Sequence, residues 1–406
     1  MKKLGISVTA VASLLLVAGC GEQSDGVMEV SLTGWQASPT EQRFLDETIE
    51  AFEEKHPDIK VNFSTIPDRY MDIMRTRLIG LEGPDVFFLD AFEAPGLIET
   101  GALEPLDPYI TEEFELDDFE QPLLEAFEGD DGGQYGLPKD TSTLALFYNK
   151  ELFAEAGIES PPETWEELEE AAEMLTTDGV YGFGVAPELA RLMFIAESGG
   201  GQVATNNRAT FGDERVADAL QPIVDMRNET GVAAEPSEVG SDNTGEMFAQ
   251  GRAAMVIEGN WNITYLEENF PDLDYGVVEV PTINDQEGTM TYTVSYVMNQ
   301  ASEKKEAAWT LIEYLTGKEG MKTWTSSGFT LPTRASVAEE LDYVDDDYYG
   351  PFVAGSAYAT VWADDTNLPI FDNNFNNQFL SAFLGQRDLG EALQEAEDVA
   401  NRETEQ

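Results

Sequence analysis

The chain has few of the residues on which many catalytic and metal sites depend. Among its 406 residues there is one cysteine, Cys20, and one histidine, His56. A single cysteine excludes an intrachain disulfide, so hydrophobic packing must hold the fold together. The lone histidine precedes Pro57 at a predicted helix end, where we expect a solvated turn rather than a nucleophilic triad, and a multi-histidine metal site is excluded. The sequence also lacks a Walker-type phosphate loop and a convincing GxGxxG string.

Basic residues are also scarce. Lysine and arginine number 22 against 79 acidic residues, which gives a formal net charge of −57 at pH 7. This charge repels a phosphate backbone, so nucleic acid is a poor partner. The acidity is spread along the chain, and 10% of the residues are aromatic, which is untypical of disordered acidic chains. We therefore expect a folded protein with an acidic surface, suited to a saline habitat because molar salt shortens the screening length to about 3 Å.

The amino-terminal segment predicts export and lipidation. Two lysines precede an apolar run over residues 4–17, which has the length of a signal sequence rather than of a membrane span. The string VAGC at residues 17–20 looks like the lipobox at which bacterial lipoproteins are cut and lipidated on the cysteine. We expect residues 1–20 to be a lipoprotein signal peptide and residues 21–26 a polar tether, with lipidated Cys20 holding the chain at the outer face of the cytoplasmic membrane. An ordinary secretory signal with a chance cysteine is the alternative.

The beginning of the mature chain alternates strand and helix patterns. Runs over residues 27–33, 59–63 and 85–89 predict strands, and the last is a continuous apolar run typical of a buried parallel strand. Helical patterns separate the runs, and a capping box formed by Ser38 and Glu41 opens the first helix. This order predicts a doubly wound sheet, whose ligands bind beyond the carboxyl ends of the strands.

A second α/β unit begins near residue 141. Because nearly 390 mature residues exceed the usual size of one domain, two domains are the natural expectation. The predicted strands of this unit cover residues 144–148, 180–185, 251–257, 275–280 and 292–298, and the predicted helices include residues 164–175, 213–230 and 303–316.

Five groups of sequence strings, found in the same order, resemble a known family. The family is the extracellular solute-binding proteins of ABC importers, family 1, specifically the sugar-binding group that includes maltose-binding protein. The resemblance runs from the lipobox to about residue 400. The strings are GPDV at 83–86 with GALEPL at 101–106, YNKELF at 148–153 with PPETW at 161–165, FAQGRAAM at 248–255 followed by Trp261, AAW at 307–309 with YL at 314–315, and GFTLP at 328–332.

The resemblance implies an α/β, two-lobe fold of the periplasmic-binding-protein type II, in which each lobe is a doubly wound sheet flanked by helices. It places residues 27–141 and 283–331 in the amino-terminal lobe and residues 142–282 and 332–406 in the carboxy-terminal lobe. Such proteins close on a sugar at the hinge and deliver it to the transmembrane subunits of a permease. We accordingly expect a monomer that needs no cofactor or metal and catalyses no reaction.

A sugar presents an apolar C–H face and a rim of hydroxyl groups, so its site combines aromatic rings with fixed carboxylates or amides. Trp261 follows a strand end and matches the stacking tryptophan of the family, with a core tryptophan as the alternative. Trp35, Asp90 and Phe92 follow the first and third strands, where packing is the alternative, and the capping box already accounts for Glu41. The predicted ligand-binding residues are Trp35, Glu41, Asp90, Phe92, Asp140, Trp261, Asp372, Asn373 and Asn376.

Two other parts of the chain contribute to this set. Asp140 lies at the first predicted crossing between the lobes, where a hinge salt bridge is the alternative to a ligand contact. The amide-rich residues 371–378 take the position of the family's late binding loop, with helix capping as the alternative. A well-known member of the family carries Trp, Tyr and Arg where this chain has Asp372, Asn373 and Asn376. An aromatic platform is therefore missing, and Trp362 is a candidate to replace it. For Arg334, near another crossing, we favour a structural ion pair.

Two other functions remain open from the sequence. A glycosidase would use paired carboxylates, but 79 acidic residues produce such pairs by chance. A binding protein for another cargo would carry a polyamine, a peptide or a ferric ion. Glu188 and Arg191, at helical spacing in the second unit, are interpreted as solvated, with a ligand contact as the weaker alternative. The tyrosines available to a ferric ion are Tyr292, Tyr296, Tyr348 and Tyr349, which form no paired motif.

Overall fold

A computed structural model of the chain describes residues 26–35, 39–363 and 367–405. The predicted signal peptide, Cys20, most of the predicted tether and the predicted cap Ser38 lie outside the described residues. Within them, helices and strands alternate as the sequence predicts, and the α/β class is confirmed. None of the helices in these three ranges is both long enough and apolar enough to cross a bilayer.

The described residues form twelve strands and sixteen α-helices. The strands are β1 Met28–Gly34, β2 Ile59–Thr65, β3 Val86–Asp90, β4 Gly136–Asn149, β5 Tyr181–Gly184, β6 Ala204–Thr205, β7 Arg208–Ala209, β8 Ala233–Ala234, β9 Ala253–Gly259, β10 Tyr275–Val278, β11 Thr289–Met298 and β12 Ala359–Val361. The helices are α1 Pro39–Lys55, α2 Tyr70–Ile79, α3 Ala94–Glu99, α4 Gln121–Glu125, α5 Lys150–Ala156, α6 Trp165–Leu175, α7 Leu189–Ser198, α8 Glu214–Asn228, α9 Thr244–Ala249, α10 Trp261–Asn269, α11 Lys305–Thr316, α12 Lys318–Thr325, α13 Ala335–Glu340, α14 Gly350–Gly355, α15 Leu368–Phe383 and α16 Leu389–Thr404.

The first three strands form the predicted parallel arrangement. β1 pairs in parallel with β2 on one side and with β3 on the other, while α1 and α2 provide the crossovers. Apolar side chains such as Leu32, Phe52 and Phe88 are fully buried around this part of the sheet. His56 follows the end of α1, where its half-buried ring stacks on Phe52 with the centroids 4.8 Å apart. The turn expected there is present, but the ring packs against the core.

Two long strands join this first part of the sheet to the rest of the molecule. β4 pairs antiparallel with β11 over its first half and with β9 and β10 over its second half. The main path of the sheet therefore runs without a break in the order β2-β1-β3-β11-β4-β9-β5-β8. The pairing of β4 with β11 slips by one residue, because Val294 faces Asp140 whereas Ser295 faces Pro138. Lys139 is the extra residue of this β-bulge, at the predicted lobe crossing.

The apolar core is divided between the two halves of the sheet. One large cluster surrounds β1–β3 together with α1, α11 and α12. A second large cluster lies between α6, α7, α8, α15 and α16. Each half of the molecule thus has a hydrophobic core of its own, while the backbone of β4 and β11 is common to both.

Candidate functional site

Trp35 lies at the carboxyl edge of the first parallel strands. Its half-buried ring directly follows β1 and contacts Tyr70 and Phe88 edge-on, with centroid distances of 4.9 and 5.4 Å. The Tyr70 hydroxyl donates to the carbonyl oxygens of Thr33 at 3.1 Å and Phe88 at 2.9 Å, which ties α2 to the ends of β1 and β3. The indole therefore packs on Tyr70 and Phe88 and lies at the carboxyl edge of the strands, where the sheet topology predicts ligand binding.

Asp90 ends β3 at the same edge. Its carboxylate accepts a hydrogen bond from the Phe92 N–H at 3.0 Å, and it forms no salt bridge with any described residue. Burial raises the pKa of Asp90 to about 7, and the nearby charges of Glu93 and Asp140 act in the same direction. By contrast, Glu93 pairs with Arg75 at 2.5 Å. Asp90 is thus a half-buried acceptor with oxygen lone pairs to spare for a donor.

Phe92 and Trp362 connect the two halves of the molecule. Their rings are stacked 5.4 Å apart with an angle of 9° between the planes. Phe92 follows β3, yet it packs against the core cluster of the second half, to which the buried Trp362 belongs. The sequence made Trp362 a candidate aromatic platform for a sugar. In this structure the ring of Trp362 is stacked on Phe92.

Trp261 begins α10 immediately after β9, as the sequence predicts. The guanidinium carbon of Arg191 lies over its half-buried ring, 5.1 Å from the centroid, and the ring of Tyr292 is 6.1 Å away. Arg191 in turn pairs with Glu258 at 3.2 Å. A Cβ on Gly259 would lie only 2.3 Å from the indole, so glycine is required where this ring folds back over the strand end.

The helices α7 and α15 complete this side of the site. The side-chain oxygen of Asn376 accepts from the Leu189 N–H at 2.7 Å, and its amide nitrogen donates to Asp372 at 3.0 Å. Burial raises the pKa of Asp372 to about 6, and the charge of Glu188 adds to this effect while the Asn376 hydrogen bond opposes it. Asn373 is on the exposed side of α15.

Tyr292 is near both groups and is not among the predicted binding residues. Tyr292 is two residues before Val294, and Val294 pairs with Asp90. The ring of Tyr292 lies 6.1 Å from the ring of Trp261. The Tyr292 hydroxyl donates to the Ala190 carbonyl at 2.5 Å. β11 therefore brings the carboxylate at the end of β3 and the indole at the end of β9 to one region. The alternation of residues 289–298 was the available signal, since it puts Tyr292 and Val294 on one face.

Two further predicted residues are buried, one in the sheet and one in a helix. Asp140 is buried, pairs with Lys139 and accepts from the indole N–H of Trp324 at 2.7 Å. The geometry matches the hinge salt bridge that was its alternative role. Glu41 is buried at the start of α1, and its charge together with that of Asp140 adds to burial in raising the pKa of Tyr296.

Arg334 has the structural role predicted for it. It is almost fully buried, pairs with Asp118 at 3.3 Å and donates to backbone carbonyls, including that of Thr316 at 2.7 Å. Among the residues in the described ranges, no group of three or more histidine, cysteine or acidic side chains is arranged to hold a metal ion.

The comparisons with known proteins agree with this geometry. The sequence profile of the bacterial extracellular solute-binding protein family matches residues 36–322. A putative binding protein of Brucella abortus is 27% identical over 97% of this chain and 95% of its own length. The arabinooligosaccharide-binding protein of Bacillus subtilis is 25% identical and covers 81% of this chain and 80% of its own.

The fold agrees as well. An ABC substrate-binding protein of Listeria monocytogenes, solved in complex with cycloalternan, superposes with a TM-score of 0.83 at 25% identity, covering 93% of this chain and 99% of its own. The predicted two-lobe α/β fold is confirmed, and in this structure the two lobes share one continuous sheet through β4 and β11. Since the family profile matches well over half of the residues, this chain belongs to the bacterial extracellular solute-binding proteins.

Proposed function

We propose that the chain is the substrate-binding lipoprotein of an ABC transporter, which captures a sugar or oligosaccharide between two lobes and delivers it to a membrane permease. The observation that carries the proposal is that one strand, β11, pairs with Asp90 at Val294 and contacts the ring of Trp261 through Tyr292, two residues earlier. Relatives whose names include arabinooligosaccharide binding, and a Listeria homologue solved with a cyclic sugar, support this cargo class. The family places the chain outside the cytoplasm.

The chemistry of these groups suits a carbohydrate. An indole face packs on the apolar C–H face of a sugar ring, while a carboxylate with free lone pairs accepts from its hydroxyl groups. Asp90 and Asp372 provide such acceptors, with Trp35 and Phe92 as further rings. The remaining members of the proposed contact set are Glu41, Asp140, Asn373 and Asn376.

The lobes that close on the ligand are proposed to be residues 27–141 with 283–331 and residues 142–282 with 332–406. A ligand that contacts both lobes stabilises the closed state by its difference in affinity for the closed and open states. The permease is proposed to recognise the closed monomer. The relatives are named as binding proteins, so the chain is proposed to release its sugar unchanged.

Calorimetry with a panel of oligosaccharides tests the cargo. Trp261→Ala should weaken binding of the best sugar by about 2 kcal/mol, roughly 30-fold, because the buried apolar contact is lost. Trp261→Phe, the matched variant, should keep most of the affinity since it retains an aromatic face. A panel that gives no heat, while a polyamine, a peptide or a ferric ion binds tightly, would refute the sugar assignment. Turnover of the sugar that Asp90→Asn abolishes would instead indicate a glycosidase.

The anchor has its own test. Cell fractionation should find the wild-type chain with membranes and the Cys20→Ser variant in the supernatant, because the variant has no thiol to lipidate. Recovery of both chains in the supernatant would contradict lipidation.

The proposed adaptation to salt predicts a melting temperature that rises with NaCl, and a fall would contradict it.

A further inference from the structure

Large apolar side chains that remain exposed gather at one edge of the sheet. Seven such residues occur among the described residues, and four of them are Val27, Met28, Ile79 and Leu81. β1 begins at Met28, and α2 ends at Ile79 shortly before β3 begins. Because β1 and β3 are parallel, their first residues share an edge of the sheet, opposite the edge that carries Asp90. The four residues thus lie at the amino-terminal edge of the first half.

Leu81 is the most informative of the four. Its side chain is 78% exposed, and its φ of 57° is in the left-handed region. A bulky L-residue is strained in this conformation, whereas glycine adopts it freely. Ile79, two residues earlier, is 85% exposed. Neither packing nor backbone geometry accounts for a leucine at position 81, so an external contact is the physical reason left for it.

The tether limits what this edge can contact. Gly26, the residue at which the described structure begins, is six positions after Cys20, and a fully extended chain spans about 20 Å over that length. Gly26 is two residues before β1, on the same edge. An acyl chain on Cys20 would hold the edge within that distance of the bilayer.

We propose that the edge formed by Val27, Met28, Ile79 and Leu81 rests on the headgroup layer of the membrane. The proposal rests on the proposed lipid anchor at Cys20. In this resting orientation the edge that carries Asp90 and Trp35 faces away from the bilayer, open to solute.

A fluorescent label on position 81 tests the contact. Once Cys20 carries lipid the chain has no other thiol, so Leu81→Cys offers a single labelling site. Met174→Cys is the matched control, because Met174 is also exposed, at 55%, but belongs to α6 in the other half. Each full-length lipidated variant carries the dye NBD and is reconstituted in phosphatidylcholine vesicles that contain a nitroxide-headgroup lipid. We expect severalfold stronger quenching and a blue-shifted emission at position 81.

The outcomes separate this proposal from the anchor itself. If mass spectrometry finds lipid on Cys20 but the two labels are quenched equally, the membrane contact is refuted and the anchor stands. If the wild-type chain carries no lipid, both are refuted. A blue shift in detergent alone that grows with protein concentration would assign the edge to a second copy of the chain and overturn the proposal. Leu81→Gly should keep or raise the melting temperature, and a fall would show that Leu81 serves packing instead.

Discussion

The substitution Asp90→Asn should stabilise the protein while it weakens ligand binding. Burial raises the pKa of Asp90 from its ordinary value of 3.8 to about 7. The folded protein therefore binds this proton more tightly than the unfolded chain does, and stability falls as the pH rises from about 4 to about 7. An asparagine of nearly the same shape keeps a polar group at the strand end but never has to bear a buried charge.

The size of the effect follows from the two pKa values. Each tenfold change in proton affinity corresponds to about 1.4 kcal/mol, so the full difference is worth about 4 kcal/mol. Between pH 5 and pH 8 the free energy of unfolding of the wild type should fall by about 3 kcal/mol more than that of the variant. All other acidic groups are present in both proteins, so the difference between the two unfolding curves reports on Asp90 and on the charges coupled to it, Glu93 and Asp140.

Urea unfolding at pH 5 and pH 8 measures this difference, and calorimetry at pH 8 measures the sugar affinity. The variant should lose at least about tenfold in affinity, because a hydrogen bond to a charged acceptor is worth about 1.5–3 kcal/mol. Glu120→Gln is the matched control: burial alone raises the pKa of Glu120 to about 7, and this residue lies at the start of α4, outside the candidate site. It should show the same pH-dependent stabilisation with unchanged affinity. An Asp90→Asn effect that is equal at both pH values would refute the reasoning.

Three further substitutions test the structural framework. Arg334→Met should lower the free energy of unfolding by about 3 kcal/mol or more, since Asp118 and several carbonyls lose a buried partner, and a neutral result in urea unfolding would contradict that role. Phe92→Ala should remove about 1 kcal/mol of stacking with Trp362. The radius of gyration of the ligand-free protein, measured by X-ray scattering, should then rise. Identical scattering profiles would show that the stack does not hold the two halves together. Asp140→Asn should cost about 3 kcal/mol in thermal unfolding because the neighbouring buried lysine loses its partner, and a cost below about 1 kcal/mol would show that solvent reaches the pair.

Much of the fold could be predicted because many elements carry their own local signals. The strand predicted at residues 27–33 is Met28–Gly34, and the helix predicted at 303–316 is Lys305–Thr316. β4 is the instructive exception, since only residues 144–148 of Gly136–Asn149 were predicted. Its first half contains Pro138 and a charged pair, which disfavour a strand by propensity. It forms a strand because β11 pairs with it along that length, an interaction between residues about 150 positions apart.

Sheet geometry was enough to predict only part of the candidate site. Knowing that ligands bind past the ends of parallel strands is enough to select Trp35 and Asp90. It does not reveal that Phe92 stacks on a tryptophan 270 residues later, or that Arg191 folds over Trp261. Those contacts depend on how the second half docks against the first, for which no local pattern exists. Tyr292 was considered only as a metal ligand, because its neighbours across the sheet could not be known.

The β-bulge gives a physical reason for the site to lie where it does. Lys139 is the extra residue of β4, and its ammonium group lies over the rings of Trp324 and Phe88, 4.0 and 4.8 Å from their centroids. A bulge locally disrupts the ladder and bends the strand, so rotation between the halves is absorbed there more readily than in regular sheet. Asp90 pairs with Val294 of β11, opposite the bulge in β4, and Tyr292 is on the same strand. In the proposed binding mode, a ligand held by these residues would lie beside the bulge, and rotation there would change the distance between Trp261 and the end of β3.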